Sequence, residues 1–111
     1  MSTHITFTQL LAMAPTPLSS GRQMIKILAV TASGGRFRLR VQNGRGEEGE
    51  IPLGETGRAN TRRLRVLLGS GAPDKDATLA QLQSALVGKH FHVRLTEETY
   101  NGFHYLEVKR P

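Results

Sequence analysis

The chain has 111 residues, with 15 basic and 9 acidic side chains and a formal net charge of +6. This length fits one compact domain, and the absence of cysteine excludes disulfides and thiolate zinc sites. No apolar run approaches the roughly 20 residues of a membrane helix, and the first residues lack a leader pattern, so we expect a cytoplasmic protein without membrane contact.

Arginine dominates the basic residues, accounting for 11 of the 15. Guanidinium groups bind phosphates through two parallel hydrogen bonds and also stack on bases. The sequence pI near 10.5 is typical of nucleic-acid-binding domains. The alternative is a basic surface that has no such partner.

The first part of the chain differs in composition from the rest. Residues 1–22 are predicted to form an N-terminal segment, and residues 23–111 a single domain. Thr6 is placed to cap a short helix that ends before Pro15. A run of proline, serine and glycine then leads to Gly21 and is typical of a linker.

An arginine-rich strand is the most distinctive feature of the sequence. Basic and apolar side chains alternate directly after Gly35, and alternate residues of a strand point to opposite faces. A half-buried strand needs polar residues on its outer face, but nothing in the fold requires three arginines there. We call these three residues the arginine row: Arg36, Arg38 and Arg40.

Gly34-Gly35 predicts a tight hairpin between this strand and a first strand at residues 23–33, because the primed turns need positive φ. The resulting register places Ser33 opposite Arg36 and Leu28 opposite Val41, with apolar side chains facing apolar side chains. The residues beside the arginine row are small, which leaves the row open to solvent.

A third, shorter strand is predicted at residues 47–53, after a turn that contains Arg45. Pro52 confines this strand to a sheet edge or a strand end. The strand carries three glutamates, which face away from the arginine row or lie beside it. Pairing with them would remove charge from that surface.

Two short helices are predicted between residues 58 and 88, each with its leucines on one side. Asn60 or Thr61 caps the first helix, and Asp76 or Thr78 caps the second. Glycines are placed to end both helices. Three arginines of the first helix are expected on a solvated face: Arg62, Arg63 and Arg65.

Residues 89–109 predict a second hairpin around Asn101-Gly102, a dipeptide that strongly favours a two-residue turn. Its register places Tyr100 opposite Phe103. Five candidate binding side chains then share one face: Arg94, Tyr100, Phe103, Tyr105 and Lys109. The alternative is that Phe103 and Tyr105 cover a second core layer beneath the N-terminal segment.

The order of elements is three strands, a helical segment and two further strands. This order predicts a mainly β fold, specifically a five-stranded OB-fold-like barrel with the helical segment between strands 3 and 4. Another small barrel and an α+β sandwich are the alternatives.

Three short motifs occur in the second half of the chain: Leu67–Gly71, Leu86–Val93 and Tyr100–Phe103. On these motifs the chain resembles OB-fold single-stranded-DNA-binding proteins. More narrowly, it is similar to a phage-encoded domain family suspected of that role. The resemblance implies an OB-fold and binding of single-stranded DNA in phage or prophage replication or recombination.

Binding of a single strand needs a positive surface for phosphates and flat side chains for bases. The arginine row, Arg45, Arg94 and Lys109 supply the charge, and three aromatic residues near the second turn supply the rings: Tyr100, Phe103 and Tyr105. By analogy with OB-folds, the face of strands 2 and 3 carries the site. We expect sequence-tolerant binding of single-stranded DNA or RNA.

A protein-interaction module and an enzyme are the alternative classes of function. The same barrel is also suited to a protein-interaction module that binds an acidic partner or forms a homo-oligomer. No catalytic or cofactor motif is present, so we expect neither an enzyme nor a cofactor. The pair His90 and His92 lacks the further ligands of a metal site.

Overall fold

A computed structural model describes residues 16–111, so the helix predicted after Thr6 lies outside the described residues. Six antiparallel strands form one open sheet in the order β4-β3-β2-β1-β5-β6. The elements are β1 (Gly21–Ser33), β2 (Arg36–Asn43), β3 (Glu48–Glu55), β4 (Arg58–Ala59), α1 (Thr61–Leu68), a 3₁₀ turn (Gly69–Gly71), α2 (Leu79–Leu86), β5 (His90–Tyr100) and β6 (Phe103–Lys109). The mainly β prediction is confirmed. Within residues 16–111, neither helix has the length and apolar character needed to cross a membrane.

The β1–β2 hairpin follows the predicted register in the half next to the turn, from Ser33 to Ala29 of β1. Ser33 lies opposite Arg36 as expected, but Val41 lies opposite Ile27 and not Leu28. A β-bulge at Leu28 shifts the register by one residue. The pairing of Leu28 with Val41 was therefore wrong. Because the bulge absorbs one residue, Ile27 enters the core and Leu28 is only partly buried.

The β5–β6 hairpin has the predicted register throughout, from Arg94 opposite Lys109 to Tyr100 opposite Phe103. At its tip, Asn101 has φ of 49° and Gly102 has φ of 78°. Positive φ at both turn residues is what the Asn-Gly pair accommodates. The tip projects beyond β1, whose pairing with β5 ends where Gly21 lies opposite Leu95.

Both helices begin at residues the sequence pointed to. The Asn60 side chain accepts a hydrogen bond from the Arg63 N–H (3.0 Å), and Thr78 forms a reciprocal capping box with Gln81. Gly69 ends α1. The two-residue strand β4, which directly precedes Asn60, was not predicted.

The core lies between the inner face of the sheet and the two helices. The apolar side chains that alternate with the arginine row are buried as predicted, since Phe37, Leu39 and Val41 are each at most 2% exposed. The helices add four buried leucines: Leu64, Leu67, Leu82 and Leu86. Burial of each large side chain stabilises the fold by about 1.5–3 kcal/mol.

Residues 16–20 run beside β3. The Leu18 N–H donates to the Glu48 carbonyl (3.2 Å), and the Glu48 N–H donates to the Thr16 carbonyl (2.8 Å). Leu18 is 6% exposed and packs on Gly49, where a Cβ atom would lie 2.9 Å from Leu18 Cδ1. A larger residue at position 49 would require the Leu18 side chain to shift.

The open sheet curls, so that β3 and β6 approach each other without pairing. Arg63 of α1 links the two strands. Its Nη1 donates to the Pro52 carbonyl of β3 (3.0 Å), and its Nε donates to the Glu107 carboxylate of β6 (2.8 Å). The side chain thus bridges strands that do not bond through their backbones.

Candidate functional site

The arginine row lies on the outer face of the sheet. Arg36, Arg38 and Arg40 are all exposed and alternate with buried side chains along β2. The small residues predicted beside them are their neighbours on β1, since Thr31 lies opposite Arg38 and Ala29 opposite Arg40. The outer face at β2 is therefore open to solvent.

Two arginines of the row are paired with glutamates of β3. Arg40 lies 3.2 Å from Glu48 and Arg38 lies 3.9 Å from Glu50. The arginine side chains remain 55% and 47% exposed, respectively, and exposed pairs of this kind contribute about 0–1 kcal/mol. The pairs reduce the charge of the row without fixing it rigidly. Arg36 makes no ion pair within residues 16–111.

Arg45 is held in the β2–β3 turn. Its guanidinium lies 3.1 Å from the Glu47 carboxylate and also donates to the Ser19 hydroxyl. The Asn43 amide, the Ser19 hydroxyl and Arg45 all donate to Glu47, and together they lower the pKa of this carboxyl to about 2. Arg45 thereby fastens the turn to the segment that precedes β1.

A second group of cations crosses three strands on the outer face. Arg22 of β1 lies opposite Arg94 of β5, and Arg94 lies opposite Lys109 of β6. We call Arg22, Arg94 and Lys109 the cation row. Lys109 is 3.3 Å from Glu98, whereas Arg22 and Arg94 make no ion pair in the described part of the chain. The Thr96 hydroxyl and Lys109 keep the pKa of Glu98 below its ordinary value.

Two of the three candidate aromatic residues are free of the core. Tyr100 is 70% exposed and Phe103 is 76% exposed, and they face each other at the tip of the β5–β6 hairpin. Tyr105 is partly buried, with the Arg63 guanidinium carbon 5.5 Å from its ring centroid. The structure therefore separates two available rings from a third that packs against α1.

Arg63 does not lie on a solvated helix face, so that expectation was wrong. Its side chain is 11% exposed, and Glu107, its partner, is 4% exposed. Arg63 donates twice to Glu107, at 2.8 Å each, and Arg62 adds a third bond at 2.9 Å. Burial alone would raise the pKa of Glu107, but Arg63, Arg62 and the Val108 N–H together lower it below its ordinary value. This cluster is structural.

Two further cations lie on the outer face and were not predicted there, Arg22 and Lys26. Both alternate with the inner-face side chains of β1, so their spacing relative to Ile25 and Ile27 carried the signal. Arg22 was assigned to the linker. Its position opposite Arg94 depends on the pairing of β1 with β5, and these strands are far apart in sequence.

The histidines of β5 do not form part of a metal site in the described part of the chain. His90 and His92 lie on the outer face opposite Lys26 and Met24. Among residues 16–111, no three histidine, cysteine or carboxylate side chains come close enough to hold a metal ion. Comparison with known protein families and with curated proteins finds no match to this sequence.

Proposed function

We propose that the protein binds single-stranded nucleic acid, with little sequence preference, on the outer face of its sheet. The observation that carries the proposal is the combination of unpaired cations and bare aromatic rings on one face. Arg22, Lys26, Arg36 and Arg94 are exposed there and make no ion pair within residues 16–111, and Tyr100 and Phe103 lie at the end of the same face. Binding of a single strand requires cations for the phosphates and exposed aromatic rings for the bases.

The strand connectivity supports an OB-fold-like barrel as the finer description of the fold. β1 pairs with both β2 and β5, and β3 approaches β6 across the gap that a barrel would close. The helix α1 lies between β3 and β5 in sequence, and Arg63 links β3 to β6. OB-folds bind oligonucleotides on one face of strands 2 and 3 and on the loops that join strands 1 and 2 and strands 4 and 5. In the proposed fold, the β5–β6 tip with Tyr100 and Phe103 corresponds to the second of these loops.

A role of the protein in phage or prophage replication or recombination is part of the same proposal. It depends on the sequence resemblance alone. Single-stranded DNA is the first ligand to test, with RNA of equal length beside it. A protein that reads no base edges should bind thymidine and mixed-sequence oligonucleotides with similar affinity.

The test is fluorescence anisotropy with a labelled oligothymidine of about 20 nucleotides, longer than the 4–16 that one OB-fold covers. Affinity should fall steeply between about 0.05 and 0.2 M salt, because bound phosphates release counterions. No binding at the lower salt concentration, or an affinity independent of salt, would contradict the proposal.

Replacement of Tyr100 and Phe103 by alanine sharpens this test. Loss of base stacking should weaken binding by about 1–3 kcal/mol per base, with an unchanged salt slope. Val87→Ala is the matched control, since Val87 is also an exposed apolar residue, 41% accessible, but lies beyond the end of α2. Equal affinities of the double variant and the control would exclude stacking at the tip.

The exposed tip also favours a second candidate, a self-assembly module. Tyr100 and Phe103 together with the open edge of β6 offer a surface on which a second copy can pair. Light scattering as a function of concentration distinguishes the two functions. A stable oligomer that binds no oligonucleotide would favour assembly.

A further inference from the structure

The cation row is unusual for the sheet in which it lies. Where β2 meets β3, Arg40 lies opposite Glu50 and reaches Glu48, so positive faces negative. In the cation row, Arg22, Arg94 and Lys109 lie directly opposite one another, and within residues 16–111 only Lys109 has a carboxylate partner, Glu98 at 3.3 Å. Like charges directly opposite each other destabilise a sheet. The fold thus places like charges opposite each other across β1, β5 and β6, whereas it places opposite charges together between β2 and β3.

The row continues into a concave surface. An open groove of about 400 Å³ lies between α1 and the end of β6. Four cations contribute to its lining, and Lys109 belongs to both the groove and the cation row: Arg62, Arg65, Lys109 and Arg110. Arg65 and Arg110 are exposed and make no ion pair within residues 16–111. Positive charge therefore extends from the groove across three strands.

We propose that the phosphodiester backbone of the bound strand follows this path, from the groove through Lys109 and Arg94 to Arg22. The inference depends on the proposed function and assigns its phosphate contacts. Neighbouring strands are about 4.8 Å apart, so the row spans about 10 Å, and the long arginine side chains adapt to successive phosphates. A bound phosphate relieves the repulsion that the free protein carries.

The arginine row of β2 is a weaker phosphate site by the same reasoning. A phosphate that approaches Arg38 or Arg40 must displace Glu50 or Glu48, and those carboxylates repel it. No carboxylate needs to move at Arg22 or Arg94. The contacts in the cation row should therefore account for more of the salt dependence.

The experiment compares four double variants in the full chain by anisotropy against the same oligothymidine. Arg22→Ala with Arg94→Ala removes two cations of the row, and Arg38→Ala with Arg40→Ala removes two paired arginines. Each phosphate contact to a single strand contributes about 0.7 to the salt slope. The first variant should lower the slope by about 1.4. If the variant and the unmodified protein bind equally at 1 M salt, the variant should bind about 25-fold more weakly at 0.1 M salt.

The matched control is Arg58→Ala with Lys75→Ala. It loses the same charge from two exposed residues that make no ion pair in the described part of the chain and lie outside the row and the groove. Its affinity should stay close to that of the unmodified protein. Arg22→Lys with Arg94→Lys keeps the charge and should restore most of the slope. Circular dichroism melts confirm that every variant is folded.

The outcomes separate the two proposals. If the unmodified protein binds and the β2 variant loses more affinity than the Arg22 and Arg94 variant, the backbone follows β2 and the inferred path is wrong. If the control loses as much as the Arg22 and Arg94 variant, only net charge matters, and the path is also wrong. If the unmodified protein does not bind, the proposed function itself fails.

Discussion

Arg63 in α1 and Arg94 in β5 flank the same strand, β6, and their guanidinium groups have opposite surroundings. Arg63 is nearly buried, with two bonds to Glu107 and one to the Pro52 carbonyl. Arg94 is exposed between two other cations. The first arginine holds β3 and β6 together, and the second leaves its charge available. Burial and partners, rather than residue type, decide what an arginine contributes in this fold.

The largest effect should come from Arg63→Met, which would leave Glu107 with only Arg62 and the Val108 N–H. A buried carboxylate that loses its main partner costs about 3–5 kcal/mol of unfolding free energy. Urea denaturation measures this loss. Arg65→Met on the same helix is exposed and should change stability by no more than about 0.5 kcal/mol. Equal losses for both variants would remove the distinction between buried and exposed arginines.

An intermediate effect is expected at Glu47, a largely buried carboxylate that binds the exposed Arg45. Its pKa of about 2 lies below the ordinary value of 4.5, so its bonds contribute stability above that ordinary value and lose it as the pH falls toward 2. Glu47→Gln should therefore be less stable than the unmodified protein at pH 6, and the difference should shrink as the pH is lowered.

Denaturation curves at several pH values between about 6 and 2 check this expectation. Glu50→Gln is the control, because Glu50 is 60% exposed and reaches Arg38 only at 3.9 Å. A difference between Glu47→Gln and the unmodified protein that stays constant with pH would show that the carboxylate charge does not matter.

The smallest effect, and the only gain in stability, should come from Arg94→Thr. Removing the central charge of the cation row relieves two like-charge pairs, and threonine suits a strand. Unfolding free energy should rise by about 0.2–1 kcal/mol, more at low salt than at high salt. Arg36→Thr is the control, since Arg36 faces Ser33 and Glu55 and no cation. Equal gains in unfolding free energy for the two variants would indicate that the gain comes from the strand propensity of threonine and not from relief of charge repulsion.

Local patterns predicted the hairpins well and the long-range contacts poorly. Two-residue turns at Gly34-Gly35 and Asn101-Gly102 set most of the register within each hairpin, because a short turn leaves few alternatives. The bulge at Leu28 escaped prediction, since it depends on how β1 also meets β5. Arg63 was misplaced for a similar reason: its partners Pro52 and Glu107 come from distant parts of the chain.

The candidate site was predicted in part for the same reasons. Strand alternation placed Arg36, Arg38 and Arg40 correctly on one exposed face, and hairpin register brought Arg94 next to Lys109. Arg22 completes the cation row only through pairing between β1 and β5. No local pattern contains that pairing, and it joins strands separated by most of the chain.

The contact between Leu18 and Gly49 bears on how the molecule can be shortened. Residues 16–18 form backbone hydrogen bonds with Glu48 at the edge of β3 that faces away from β2, and Leu18 packs against this edge. A fragment that starts at residue 23 would uncover that strand edge, and uncovered edges recruit strands from other chains. We therefore expect a recombinant version that lacks residues 16–22 to aggregate more readily than one that keeps them.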